Sequence, residues 1–569
     1  MHPDLRAARP WCAESASRPC HLPPATCEEP IDRRGFLRLV GIAALGGAVE
    51  GCTRPLAQTA PLNAAANSTS TAPVAGPGSS PATSAVGALS EDPPVATADL
   101  DKLARVLSGR LLRPGDAGYL PAAQLYSTRF DIVRPTAVAR CASVADVQKC
   151  LEFARATGIP VAARSGGHSY AGYSTTSGLV IDVRPMSAVG RGSTPGSARI
   201  GAGATLLDAY AGLAATGSAI PGGSCPTVGI AGSTLGGGVG VVARKYGLSC
   251  DALTAVELVL PDGVAIRCDE RREPDLFWAN RGGGGGNFGI VTALEFRTHP
   301  VRELTRFLVR WDWSHAHAVV SAWQQWLTTL PDELWSSLHL DGAPSASATP
   351  KVYASGVYVG EQARLQPLLD ELQAATKAPM TTRFVKSAPY LETMLIEGGC
   401  ATVSACHLPS DDPAGNLGRD TNAARSDFIA RPLSGTGVDI VLDAVESRRV
   451  LGLPGGGVLF DAYGGAINTI GASETAFVHR DTVACLQYVA TWKPDAATAV
   501  VNANQSWLDT LHAAMRPQVS GFAYQNYIDA GLTDWQQAYY GANLGRLISV
   551  KSAVDPTGVL RFRQGIPTR

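Results

Sequence analysis

The sequence predicts a mixed fold in which helices and short strands alternate. Three observations predict it: helical segments with capping residues at their starts, short apolar runs between them, and three glycine clusters between Gly166 and Gly289, each beside such a run. Ser143 precedes Val144-Ala145-Asp146, a start like a capping box with Asp in place of Glu, and Val144, Val147, Leu151 and Ala154 then recur at helical spacing until Gly158. The apolar run 159–163 reads as a strand and breaks into Arg164-Ser165-Gly166-Gly167-His168-Ser169, the first cluster. Residues 179–183 read as the next strand. Thr205-Leu206-Leu207-Asp208 opens a second capped helix ending near Gly217, after which the chain enters the second cluster, 221–229 and 232–240. The third cluster holds the consecutive glycines 282–286 between Phe277-Trp278 and a strand over 290–296.

Glycines so placed bring backbone close to something on which a Cβ would intrude, and a flat or phosphorylated cofactor is the natural candidate. There is no GxxxxGK[ST] loop, and Gly236-Gly237-Gly238 gives no GxGxxG with an acid about 20 residues on, which disfavours a P-loop ATPase and an ordinary Rossmann dehydrogenase. From 301 to 517 tryptophan and leucine replace glycine. Trp323 and Trp326, at helical spacing, read as a packing face, with a substrate surface as the alternative. His315 and His317 stand two apart and would leave a helix on different faces, so no metal site is expected there.

Charged residues make up 17% of the 569, and Lys+Arg 48 nearly cancels Asp+Glu 49, which argues against a nucleic-acid partner. No apolar run is long enough for a membrane span. Residues 1–52 read as an address: Arg33-Arg34-Gly35-Phe36-Leu37 before the apolar stretch 39–49 is the pattern of a twin-arginine export signal. Gly51-Cys52 follows as a candidate lipid-anchor site, although Glu50 fits poorly there, with plain cleavage nearby as the alternative. Residues 53–98, rich in Pro, Ala, Ser and Thr, bury too little apolar surface to order themselves and read as a disordered tether. A periplasmic, cell-surface or secreted location is the expectation. Eight of the twelve cysteines fall beyond the tether in no C-x-x-C pattern, and if Cys225 has another use an odd number is left, so no full disulfide framework is implied.

Four segments taken together carry a resemblance: Arg164 to Ser169, Cys225-Pro226-Thr227-Val228-Gly229, Asp275-Leu276-Phe277-Trp278-Ala279 with its glycine run, and Tyr524-Gln525-Asn526-Tyr527-Ile528-Asp529. In order and spacing they resemble the berberine-bridge-enzyme-like flavoprotein oxidases across nearly the whole chain from about Asp99. The resemblance implies an α+β fold: a two-subdomain FAD-binding domain of the vanillyl-alcohol-oxidase type over 99–300, an inserted substrate domain built on an antiparallel sheet with helices over 301–517, and a segment, 518–569, returning to the flavin. It implies FAD held by two covalent bonds, His168 to the 8α-methyl and Cys225 to C6, and a neutral imidazole and a thiolate are suitable nucleophiles for those positions. Arg164, Ser165, Gly166, Gly167, Ser169, Gly223, Gly229 and Gly232 would form the cofactor cradle, and Asn287, Ile290 and Asn526 would add further contacts.

The same resemblance makes Tyr527 the catalytic tyrosine, supported by Asp461, because a tyrosine with an ordinary pKa near 10 needs a partner to share its proton. Tyr524, Gln487 and Tyr170 are expected substrate contacts, and Val228 occupies the position where valine favours reaction with oxygen. Leu544 stands where relatives often carry Tyr. The expected activity is oxidation of an alcohol or lactol carbon of a carbohydrate-like substrate, with O2 as the second, small-molecule partner. A dehydrogenase or ring-forming oxidase acting on a polycyclic natural product is the other reading. Substrate identity and oligomeric state stay open.

Overall fold

The computed structural model describes residues 96–301 and 303–569. The expected export signal, Cys52 and nearly all of the expected tether lie outside the described residues. The first helix, Thr97–Val106, begins two residues inside the stretch expected to be tether, with Asp99 in its first turn and Leu100 and Leu103 buried.

Two sheets frame the cofactor-type half. A four-stranded sheet runs Arg110–Leu112, Ala137–Arg140, Leu179–Asp182, Val161–Arg164, with the last three strands parallel. A five-stranded antiparallel sheet runs Val189–Arg191, Ser197–Gly201, Ile290–Arg297, Leu253–Val259, Ala265–Asp269. The helix Val144–Thr157 contacts both sheets, and its ends are those expected: Ser143 Oγ accepts from Asp146 N, and Gly158 closes it at φ +73°. The helix Leu206–Ala214 carries a complete capping box between Thr205 and Asp208.

The inserted half is a seven-stranded antiparallel sheet in the order Thr382–Pro389, Glu303–Trp311, Lys351–Tyr358, Leu334–Asp341, Gly457–Ala462, Ala484–Thr491, Asn422–Ile429. Strand alternation gives it two unlike faces. Leu338, Val458, Phe460 and Leu486 pack beneath the helices Ala316–Leu327, Gly435–Val450 and Thr498–Met515. Trp323 and Trp326 belong to this packing face, and Trp323 Nε1 donates to Ser336 Oγ at 3.0 Å. The opposite face bears Asp461 and Gln487. His317 lies 3.5 Å from Asp439, and no cluster suited to a metal ion occurs among the described residues. No helix among them is long and apolar enough to cross a membrane.

The halves are fastened together at buried polar points. Arg480 pairs with Asp251 through two bonds, at 2.7 and 2.8 Å, both side chains being buried. The C-terminal segment is tied to the cofactor half in the same way: its helix Leu544–Val554 supplies Lys551, whose Nζ donates to the Asn287 carbonyl at 2.7 Å and to Asp555 at 2.6 Å. Leu544 is partly buried against the core without a tyrosine. Cys400 and Cys406 form a disulfide, while Cys141 and Cys150, their sulfurs 3.9 Å apart, share a thiol hydrogen bond and no disulfide.

Candidate active site

Between the glycine loops and the open sheet face lies a cavity of about 550 Å³. Every residue expected to hold the cofactor, act on the substrate or contact it borders the cavity, but the side chains divide sharply in what they do there. His168 and Cys225 come to its wall from two different loops. The His168 ring stacks on Tyr126, centroids 4.0 Å apart, and its Nε2 lies 3.0 Å from Thr227 Oγ1. Burial pushes its pKa down to about 3, so the imidazole is neutral.

Tyr527 and Asp461 meet across the domain junction. The short turn Gln525–Tyr527 presents the phenol, the strand Gly457–Ala462 presents the carboxylate, and the Tyr527 hydroxyl donates to Asp461 Oδ2 at 3.0 Å. Burial raises Asp461 to about 6 and holds Tyr527 well above an ordinary phenol, with the neighbouring carboxylate adding to the second shift. Tyr170 stacks on Tyr527, ring planes 6° apart, and its hydroxyl accepts from Gln487 Nε2 at 3.1 Å. Trp335 borders the same end.

Several expected ligand contacts have their side chains committed within the protein. The Arg164 guanidinium donates to the carbonyls of Ala122, Ala123 and Ser174, and Ser165 Oγ to that of Ala202. Asn287 donates to the carbonyls of Gly283 and Gly284 and accepts from Ile566 N. The Tyr524 hydroxyl accepts from Gly238 N at 2.9 Å and from Asn526 Nδ2 at 2.8 Å, while the same amide also donates to the Ser233 carbonyl. These groups shape the cradle through backbone and rings. Ser169 Oγ accepts from Tyr173 N and closes the turn after His168, and Ile290 and Val228 contribute apolar wall. Tyr126 and Thr227, which flank His168, escaped the sequence reading: Tyr126 lies in no motif, and Thr227 was quoted only as part of the Cys225 segment.

The glycines also serve two purposes rather than the single one expected. A Cβ on Gly166 would fall 2.2 Å from Gly229 N, and one on Gly229 would fall 2.1 Å from Gly166 N. These two let one loop touch the other. Gly232 and Gly285 instead face open space, with no atom nearer than 3.8 Å to a Cβ at either position, and both border the cavity. They leave a cradle that side chains would fill.

Two family profiles match, one described as an FAD binding domain over 135–269 and one as berberine and berberine like over 523–567. The FAD-linked oxidoreductase YgaK of Bacillus subtilis, itself uncharacterised, is 31% identical over 468 residues, which cover 81% of this chain and 97% of that protein. The chain belongs to the berberine-bridge-enzyme-like FAD-linked oxidoreductases. Berberine bridge enzyme-like D-1 of Nicotiana tabacum is 29% identical over 463 residues, 71% of this chain and 78% of that protein. Among solved structures, the berberine-bridge-enzyme-like protein 1 of Physcomitrella patens superposes with a TM-score of 0.75 at 29% identity, and a chitooligosaccharide oxidase with 0.73 at 26%. The comparisons cover 83% and 82% of this chain and 99% of each of those chains. The fold is accordingly α+β, and the protein is an FAD-linked oxidoreductase. The cavity fits that cofactor: the Gly232 and Gly285 floor admits a flat group, backbone N–H groups of the glycine loops suit its phosphates, and two nucleophilic side chains stand at the wall.

Proposed function

We propose that the protein is an exported oxidase that takes a hydride from an alcohol or lactol carbon of a carbohydrate and passes the electrons to O2, releasing H2O2. Its FAD is held through His168 and Cys225. The observation that carries this reading is the hydrogen bond from Tyr527 to Asp461 on the wall that also presents His168 and Cys225. Export rests on the twin arginine at 33–34, and the carbohydrate class is supported by the likeness to a chitooligosaccharide oxidase.

Bound FAD supplies the hydride acceptor and the route to oxygen. The chain supplies the proton path. As the substrate hydroxyl gives its proton to the Tyr527 oxygen, the phenolic proton moves along the existing bond to Asp461 Oδ2, so no free phenolate is required. Asp461 accepts it only when ionised, above about pH 6. Tyr170, fixed by Gln487 and stacked on Tyr527, holds the phenol in line and closes one side of the site. The neutral imidazole of His168 is available for bond formation because burial keeps it unprotonated.

The test is a panel of mono- and oligosaccharides assayed for peroxide release and flavin bleaching by the purified enzyme. Peroxide equal to sugar consumed supports the reading. Bleaching without peroxide would make it a dehydrogenase, and activity confined to polycyclic alcohols would overturn the carbohydrate class.

A further inference from the structure

A second cavity, of about 640 Å³, shares no lining residue with the first. Arg164 stands between them: it borders the flavin cavity, and its guanidinium donates to the carbonyl of Ala122, which borders the second. The second cavity lies where the two halves meet. Pro409, Ser410 and Asp411 of the insert line it together with the four-stranded sheet and the short helix Tyr119–Ala123. Junctions between folded units are common places for small-molecule sites.

Strand register sets the charge of this cavity. Residues opposite each other in neighbouring strands share a face. Arg110, Arg140, Asp182 and Arg164 therefore form one row across the four-stranded sheet, on the face where Leu112 and Val138 pack with Tyr119 and Ala122. The acids here are already engaged. Buried Asp182 accepts from Arg184 at 2.6 Å, and Arg184 also donates to Asp411 at 3.0 Å. Asp146, from the neighbouring helix, spends its carboxylate on Ser108 N and Oγ, Gly109 N and Ala142 N. Arg110 and Arg140 have no such partner: opposite each other and bordering the cavity, their side chains make no ion pair or hydrogen bond among the described residues. Like charges directly opposite in a sheet repel, and an anion between them relieves that repulsion. The charged lining is three arginines and one aspartate.

We propose that Arg110 and Arg140, together with Arg184, bind a small organic phosphomonoester at this junction, apart from the flavin site. Charge sets the head group. A phosphomonoester, with a second pKa of about 6, is mostly a dianion at neutral pH and has oxygens enough for two guanidinium forks, where a carboxylate answers only one. Volume and wall set the rest of the ligand. The cavity is much larger than a bare phosphate ion, and Leu112, Pro121 and Pro409 line it beside the arginines, which suits an apolar body on the phosphate.

The experiment titrates the flavin-loaded enzyme by calorimetry with phenyl phosphate, inorganic phosphate and benzoate. Phenyl phosphate should bind once per chain, and about tenfold or more tightly than either of the others. Arg110→Gln and Arg140→Gln should each weaken it by about tenfold or more. Flavin absorbance and the melting temperature of the ligand-free enzyme should stay as in the wild type, because neither side chain holds another part of the protein. Inorganic phosphate binding as tightly as phenyl phosphate would overturn the organic body, and benzoate doing so would overturn the phosphate head. No binding of phenyl phosphate, or binding that survives in the double variant Arg110→Gln, Arg140→Gln, would overturn the site.

Discussion

At neutral pH a tyrosine as deeply buried as Tyr527 keeps its proton, so its use as a base depends on the carboxylate it touches. Tyr527→Phe should slow flavin reduction by about 10²–10⁴-fold in stopped flow while the flavin stays bound, and unchanged reduction would remove Tyr527 from the chemistry. Asp461 makes the reaction depend on pH. With its pKa raised to about 6, the reduction rate should climb as pH rises through 6, and Asp461→Asn should flatten that limb. The same shift bears on stability. A carboxyl that holds its proton more tightly folded than unfolded favours folding below about pH 4, and that contribution is lost as pH rises through about 6. Asp461→Asn should therefore raise the melting temperature at pH 7.5 and leave it nearly unchanged at pH 4, a difference on the order of 2 kcal/mol. The identity of these two residues was legible only through the motifs around them, since 66 residues separate them and no local period links them. Motif membership alone could not show that Arg164 donates to the Ala122 carbonyl or that Asn287 accepts from Ile566 N, because those bonds reach segments distant in sequence.

The elements were read most securely where a local rule sets them. Ser143 with Gly158 and Thr205 with Asp208 delimit helices by satisfying terminal N–H and C=O groups, so the sequence alone places them. The glycine loops were legible as close approaches, but not what approaches what. Gly166→Ala would drive a Cβ into the backbone of the facing loop and should lower the melting temperature by several degrees. Gly232→Ala, within the helix Ile230–Leu235, meets no atom within 4 Å of its Cβ and should fold normally while retaining less flavin. Thermal melting beside the ratio of absorbance at 450 and 280 nm separates the two. Equal loss of stability in both variants would contradict the division of the glycines into loop contact and cradle.

At the scale of the whole molecule, the inserted half reaches back to brace the loops that present His168 and Cys225. Cys400, Cys406, Leu408 and Leu417 pack with Tyr126, which stacks on His168, and with Leu207. Nearby, His407 Nε2 lies 3.0 Å from Asp208, which completes the capping box of the Leu206–Ala214 helix with Thr205 and whose carboxylate raises His407 to about 8. Reducing the Cys400–Cys406 bond should cost about 2 kcal/mol, read as a lower melting temperature in dithiothreitol, with no change in a Cys400→Ser, Cys406→Ser variant. None of this bracing was legible beforehand, because cysteine spacing cannot choose partners and the insert carries no motif. The two-half architecture was legible through the resemblance, which spans both. Mass spectrometry of flavin-bearing peptides from acid-precipitated enzyme tests the central claim most directly. The account predicts yellow protein in the pellet and a single FAD joining the peptides of His168 and Cys225. Flavin released to the supernatant, or attached through neither residue, would contradict it.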